Sequence, residues 1–347
     1  MAAFLLDAEQ VPHVGGFVSL SYIVLLFVLK ASLAASIDTS EFQTRVSRKG
    51  PILFGVFCQF VVSPIFGALG VWFLGIPFMP GVLLLVVTSC PGGCFSNWLC
   101  QLVNGDLAMS VAMTGCSTIF GMAMLPTNVY VYTRLIFAKQ VLSVQQWYGI
   151  ACSVATVLLA LFVGLAVSWH LQSERWRIRF GHVGTACGLL LFTFSALEST
   201  NPESTTTPFW SRHWTFYAAV ALPVVSTTLI MVLLTSIAHF RLRPPERVAV
   251  VIEAVYQNTA LAATMAVQIF AGRHLGDAMG IVVLYQLLQG AVLLLFGIFA
   301  HYAHWTLASP EETSLCGALV GNFQQQAGCG VCSKLVQRHG NSQAAGV

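Results

Sequence analysis

Charge is scarce in this sequence. Only 8% of its 347 residues are Asp, Glu, Lys or Arg, against about 25% in a soluble domain. A water-facing surface cannot be built from so little. The chemistry of the common membrane hydrolases is missing too. There is no HExxH and no GxSxG, and no His lies deep in an apolar run beside a Ser or Cys, which argues against a membrane-embedded enzyme. No Asn-x-Ser/Thr acceptor occurs. The first residues, MAAFLLDAEQVPH, hold Asp7 and Glu9 but no basic stretch, so neither a cleaved signal peptide nor an Arg-rich transit peptide is expected. No feature of the sequence bears on oligomeric state.

What the sequence does have is apolar length. It is 56% hydrophobic, with a mean hydropathy of +0.78. About 20 apolar residues cross a bilayer. Nine runs qualify: 15–37, 50–74, 79–100, 106–133, 145–170, 180–198, 213–238, 246–271 and 277–305. The expectation is an all-α polytopic membrane protein with about nine transmembrane helices and the lipid bilayer as its surroundings. Nine spans do not fit a seven-helix receptor.

Loop cations set the orientation. With the N-terminus outside, the inner loops and tail hold Arg45, Arg48, Lys49, Arg175, Arg177, Arg179, Arg241, Arg243, Arg247, Lys334 and Arg338. The outer loops hold Arg134, Lys139, Arg212 and Arg273. Residues 1–14 are then extracellular and 306–347 form a cytoplasmic tail. The net charge of +3 reflects this topology and not nucleic-acid binding. Of ten cysteines, seven (Cys58, Cys90, Cys94, Cys100, Cys116, Cys152, Cys187) lie within spans, where Cys is a small hydrophobe. The tail holds Cys316, Cys329 and Cys332. A single CxxC is a weak zinc signal; palmitoylation is the better reading of the two, and no particular role is favoured over both.

Polar residues inside spans are costly and point to function. Among the carboxylates only Glu253 lies well inside one, followed by Gln257, Asn258 and Thr259 in EAVYQNTALAATM. A carboxylate at that depth needs a cation or a proton. A second island follows the helix-breaking Pro91-Gly92-Gly93: Ser96 and Asn97 in SCPGGCFSNW, then Ser110 and Thr114, four residues apart on one helix face. Gln59 is a third, in mid-span. Lys30 is the one Lys or Arg well inside a span. Snorkelling of its ammonium toward the inner interface is the favoured reading; an anion contact or a pair with another helix is the alternative.

Spans 3 and 8 carry the unusual segments and run in opposite directions. Spans 2–4 and 7–9 thus form two triplets of opposite topology, the pattern of an inverted-repeat transporter. Interrupted helices at mid-membrane expose N–H groups that suit an anion. They also expose C=O groups that, with polar side chains, suit Na⁺.

In SCPGGCFSNW, GDLAMSVAMTGCSTIFGMAMLP and EAVYQNTALAATM the chain resembles the bile acid:sodium symporter family, solute carrier family 10, over roughly residues 20–300. The resemblance implies inverted repeats with two broken, crossing helices. It implies a core domain of two repeats, 50–134 and 213–305, and a panel domain of helix 15–37 with helices in 145–198. It implies two sodium ions as coupling ions. One would be held by Ser96, Asn97, Ser110, Thr114 and Glu253. The other would be held by Gln59, Glu253 and Gln257, with backbone carbonyls of Ala254 and Tyr256. Gly93, Cys94, Asn258 and Thr259 are implied as substrate contacts. The implied function is sodium-coupled symport of an organic anion (a bile acid, a steroid sulfate or a smaller carboxylate) at the plasma membrane by alternating access. A proton-coupled or uncoupled transporter of the same fold, with Glu253 titrating, is the alternative. Two Na⁺ and one ionised Glu253 leave one positive charge at the loaded site, which a monoanion would neutralise.

Overall fold

The computed structural model describes residues 16–37, 46–93, 95–138, 142–171, 173–202, 207–237, 242–270 and 273–308. The N-terminal segment 1–14, Cys94 and the tail from 309 with its three cysteines lie outside the described residues. Among the described residues the regular structure is helical. The helices are α1 (Gly16–Ala35), α2 (Lys49–Phe73), α3 (Phe78–Ser89), α4 (Ser96–Leu102), α5 (Leu107–Phe137), α6 (Val144–His170), α7 (Glu174–Thr200), α8 (Trp214–Ser236), α9 (Pro244–Val255), α10 (Thr259–Ile269) and α11 (Arg273–Tyr302). Seven of them, α1, α2, α5, α6, α7, α8 and α11, are long and apolar enough to cross a membrane. The protein is a multi-pass membrane protein. Its outer faces fit that solvent. Leu229 and Leu233 of α8 and Leu295 of α11 are exposed, and so are Trp72, Trp169, Trp176 and Trp214 near helix ends, where Trp sits at the headgroup level.

The four remaining helices come in two pairs, each divided by a short break. Sequence explains both. Cys90 precedes Pro91, and a residue before proline is pushed out of the helical region; Cys90 sits at φ −66°, ψ 151°. Two glycines then delay the restart, and α4 begins at Ser96. The second pair starts at Pro244-Pro245, where missing N–H groups cost nothing. It stops at Tyr256 (φ −76°, ψ 105°). It restarts after Asn258, whose Oδ1 accepts from the Leu261 N–H at 3.1 Å as an N-cap.

Prolines also lie inside continuous helices. Pro64 of α2 cannot donate to the carbonyl four residues back, Phe60. Asn128 of α5 donates its Nδ2 to that oxygen at 2.8 Å, so the orphaned acceptor is satisfied by a neighbouring helix.

One expectation needs correcting. The sixth run reads as 180–198 from hydropathy, but α7 begins at Glu174 and carries Arg175, Arg177 and Arg179. Arginine is a good helix former, so the helix extends past its apolar part. Asp106, just before α5, N-caps it by accepting from Met109 N at 3.0 Å, and its own N–H donates to Pro245 O at 3.0 Å.

Packing sorts the helices. α1 lies against α6 and α7. α2 packs on α3, α5, α8 and α9, and α11 on α7, α8 and α10. α10 reaches across to α1 and α6. Ion pairs tie Arg48, before α2, to the buried Glu246 of α9, and Arg212, before α8, to Asp277 of α11.

Candidate functional site

The two breaks meet. Gly92 and Gln257 face each other as an antiparallel pair. Gly93 N donates to Tyr256 O at 3.2 Å, and Asn258 N donates to Pro91 O at 3.0 Å. Glycine is required here by space. A Cβ on Gly93 would stand 2.5 Å from the Tyr256 ring, and one on Gly92 would stand 2.9 Å from Glu253 Oε2.

This pairing redirects amides that would otherwise continue α9. Gln257 N donates to Gln289 Oε1 at 2.9 Å, Asn258 N to Pro91 O and Thr259 N to Gln257 O. The carbonyls of Glu253, Ala254 and Val255 thereby lose their helical donors.

A cluster of oxygens fills the crossing. Glu253 is 1% exposed. Ser110 Oγ lies 2.5 Å from Glu253 Oε1 and 2.8 Å from Asn97 Oδ1. Thr114 Oγ1 lies 2.7 Å from Glu253 Oε2 and 3.3 Å from Asn97 Oδ1. Each hydroxyl has one proton to give but is close to at least two acceptors, Thr114 Oγ1 also lying 3.1 Å from Ser110 O. Lone pairs outnumber protons, the arrangement a hard cation completes. Ser96 stands beside the cluster and donates its hydroxyl to Gly93 O at 2.9 Å. Helices α4 and α5, consecutive in sequence, and the distant α9 thus bring together the five residues Ser96, Asn97, Ser110, Thr114 and Glu253.

Next to them lies a less satisfied group. Gln59 is wholly buried, and neither its Oε1 nor its Nε2 has a hydrogen-bond partner; Gln257 Oε1 has none either. Gln257 Nε2 donates to Ser63 Oγ at 3.1 Å. A buried polar atom without a partner costs about 1–3 kcal/mol, so three close together mark a place built for something polar. The Cβ position of Gly92, 2.9 Å from Glu253 Oε2, is 3.7 Å from Gln59 Nε2, which ties the two groups into one region. Ala254 adds a released carbonyl. Tyr256 O already accepts from Gly93 and keeps a second lone pair.

Several participants escape sequence reasoning. Gln289 of α11 holds the Gln257 backbone at both ends, accepting from its N and donating to its O at 3.2 Å. Gln286 accepts from Thr259 Oγ1 at 2.5 Å and from Gln289 Nε2 at 2.9 Å, and donates to the Tyr256 hydroxyl. Ser117 Oγ accepts from Gly92 N at 3.1 Å.

The expected anion contacts fare differently. Free N–H groups at the half-helix ends are not what α10 offers: its Asn258 cap takes the Leu261 N–H, and Asn258 O takes that of Ala262. Asn258 keeps a buried Nδ2 without a partner. Thr259 spends its hydroxyl on Gln286, and Cys94 lies outside the described residues.

Two clefts flank the crossing. One, of about 40 Å³, is lined by Lys30, Leu33, Ala34, Asn97, Thr114 and Leu161 among others. The other, of about 10 Å³, is lined by Phe95, Ser195, Thr259 and Gln286 among others. Lys30 is 7% exposed. Its side chain is enclosed by protein and lines the first cleft, which is not the snorkelling expected of it.

Residues 23–245 match the model of a family described as the sodium bile acid symporter family. The chain is 25% identical over 280 residues to the ileal sodium/bile acid cotransporter of Oryctolagus cuniculus, a match covering 80% of this chain and 78% of that one. It is 29% identical over 199 residues to the sodium-dependent organic anion transporter of Rattus norvegicus, covering 55% and 53%. It is 25% identical over 271 residues to that of Bos taurus, covering 77% and 68%.

Proposed function

The chain belongs to the sodium bile acid symporter family, whose members are transporters and not enzymes, and on that premise we propose that it is a sodium-coupled symporter of an organic anion. The observation that carries this reading is the oxygen cluster around Glu253, where lone pairs outnumber protons at the crossing of two broken helices.

The first Na⁺ binds among Ser96, Asn97, Ser110, Thr114 and Glu253. A second binds between Glu253, Gln59 and Gln257, with the carbonyls of Ala254 and Tyr256. The unpartnered amide atoms of Gln59 and Gln257 support that second assignment. Ions draw Glu253 and the hydroxyls into one arrangement. The anion (a bile acid, a steroid sulfate or a smaller carboxylate) then enters beside them, where Gly93, Cys94, Asn258 and Thr259 are its candidate contacts.

Nine passes support transport. Seven are continuous, and the pairs α3–α4 and α9–α10 supply the other two. Helices α2–α5 and α8–α11 form inverted repeats of a core. Helices α1, α6 and α7 form the panel. Alternating access moves one against the other. With the N-terminus outside, the outer half of α10 is held to the panel: Gln268 Nε2 donates to Ser19 Oγ at 2.7 Å, and Gln146 Nε2 to Ile269 O at 3.1 Å. The cleft beside Asn97 and Thr114 lies toward the inner end of α1. This is an inward-facing conformation of a plasma-membrane protein.

The test is uptake of labelled taurocholate into vesicles carrying the full chain, driven by a sodium gradient or by a proton gradient. Uptake that needs sodium supports the reading. Uptake driven by protons alone would replace sodium with a titrating Glu253, and no uptake of taurocholate, a steroid sulfate or a small carboxylate would overturn it.

A further inference from the structure

The second ion group depends on which end of one amide faces it. Gln257 is wholly buried in the break between α9 and α10. Three of its four polar groups are engaged. Its backbone N–H donates to Gln289 Oε1 at 2.9 Å, and its carbonyl accepts from Gln289 Nε2 at 3.2 Å. Its side-chain Nε2 donates to Ser63 Oγ at 3.1 Å. The fourth group, Oε1, has no hydrogen-bond partner. Ser63 is as buried as Gln257 and follows Gln59 by four residues on α2, so the two side chains share one face of that helix. Gln59 is unpartnered at both amide ends. Gly92, paired with Gln257, has its Cβ position 3.7 Å from Gln59 Nε2 and 2.9 Å from Glu253 Oε2. The wholly buried Tyr285 hydroxyl stands near Ser63 and offers an acceptor for the Ser63 proton, which leaves the lone pairs of Ser63 to Gln257.

We propose that Ser63 is a positioning residue of the second sodium group: by accepting the side-chain N–H of Gln257, it leaves Gln257 Oε1 to the cation. The proposal rests on the sodium-coupled reading above, with its two ions. A carboxamide ends in an oxygen and an NH₂ of similar size, and half a turn about its last bond exchanges them. The oxygen end ligates sodium, and the NH₂ end repels it. In a buried place a polar end without a partner is costly, so the neighbours decide the orientation. A hydroxyl that accepts at the NH₂ end stabilises the orientation in which the oxygen is left over. Without that hydroxyl, the ligating orientation strands a buried donor, and sodium must hold the amide against that cost. Gln289 fixes the backbone of Gln257 and Ser63 fixes its side chain. Between them they leave one uncommitted oxygen, the kind of ligand a hard cation takes.

The test reads sodium binding from the melting temperature of the purified full chain, titrated with sodium against potassium at constant ionic strength. An ion that binds the native state raises the melting temperature with its concentration. Wild type should be stabilised by sodium, and the titration gives a half-saturation. Gln257→Ala should raise that value about tenfold. Ser63→Ala should raise it about fivefold, the scale of one lost hydrogen bond. Ser63→Thr keeps the acceptor and should hold the value within about twofold of wild type. Ser63→Ala combined with Gln257→Ala should match Gln257→Ala alone, because no amide is left to position. A Ser63→Ala value equal to that of wild type would overturn the proposal. So would a double variant in which the two effects multiply, since Ser63 would then act independently of Gln257. If Ser63→Ala does not fold, Ser63→Cys, close in size and a weaker acceptor, should raise the half-saturation about threefold, and an unchanged value there would overturn the proposal equally. The readings below it fail differently. A wild type indifferent to sodium would remove the sodium-coupled reading before any variant is compared, and an unchanged half-saturation in Gln257→Ala would remove the second ion group; either takes the role of Ser63 with it.

Discussion

At the residue scale, Glu253 carries the greatest weight. It places two carboxylate oxygens among two hydroxyls and an amide, and nothing else in the cluster is anionic. Glu253→Gln keeps the shape but turns one oxygen into a donor that points at the cation. We expect sodium-dependent uptake to fall at least about a hundredfold, the scale of a lost charged interaction near 3 kcal/mol, with normal surface abundance. A variant that keeps wild-type uptake and sodium dependence would remove Glu253 from the ion site. Asn97 contributes one carbonyl oxygen shared between Ser110 and Thr114. Asn97→Ala should raise the sodium half-saturation about tenfold and leave expression near normal. An unchanged half-saturation would reduce Asn97 to a contact between helices. These residues are legible in sequence because each is polar where its neighbours are not, and because Pro91-Gly92-Gly93 marks the break. Ser63, Ser117, Asn128, Gln286 and Gln289 are equally polar and equally buried or lining, yet none of them stands beside a helix break or a carboxylate in the sequence. Such a side chain is usually a link between helices. Only the tertiary fold reveals what Gln289 and Asn128 link to.

At the scale of elements, α11 stands behind the site and contributes none of the proposed sodium ligands. Gln289 bonds both backbone groups of Gln257 at the middle of the second break, so it holds the stretch where α9 ends and α10 begins. Gln289→Leu would leave a buried N–H and a buried C=O without their partner, at about 1–3 kcal/mol for each group. The expected result is a lower melting temperature of the purified protein and a raised sodium half-saturation, although Gln289 is no ligand. Normal sodium dependence in a destabilised variant would confine Gln289 to packing. The breaks themselves are legible: proline and paired glycine announce the first, and the polar run Gln257-Asn258-Thr259 announces the second. The ends of continuous helices are less so. Hydropathy dates the start of α7 to about 180 because Arg175, Arg177 and Arg179 hide its first turns, while backbone hydrogen bonding begins at Glu174. The N-terminal amides of α10 mislead in the opposite direction. An exposed helix start suggests an anion site, but Asn258 caps it first.

At the scale of the whole molecule, charge couples the substrate to the membrane potential. Glu253 and Lys30 stay with the protein through a cycle, so neither counts as transported. The moving charges are those of the two proposed Na⁺ and of the anion. A monoanion therefore carries one net positive charge inward per turnover, and a dianion carries none. A negative-inside potential drives the first cycle by about 2.3 kcal/mol per 100 mV and leaves the second unaffected. We expect taurocholate to produce an inward current in proportion to its flux, and taurocholate 3-sulfate to enter without one. Sodium should act with a Hill coefficient above one, because both proposed ion groups include Glu253 and filling either would change the charge that the other meets. Current and radiotracer flux recorded together from one oocyte, at stepped potentials, measure all three quantities. Taurocholate flux without current, or a hyperbolic sodium dependence at every potential, would count against two ions; equal currents with both probes would mean that a further ion moves with the dianion.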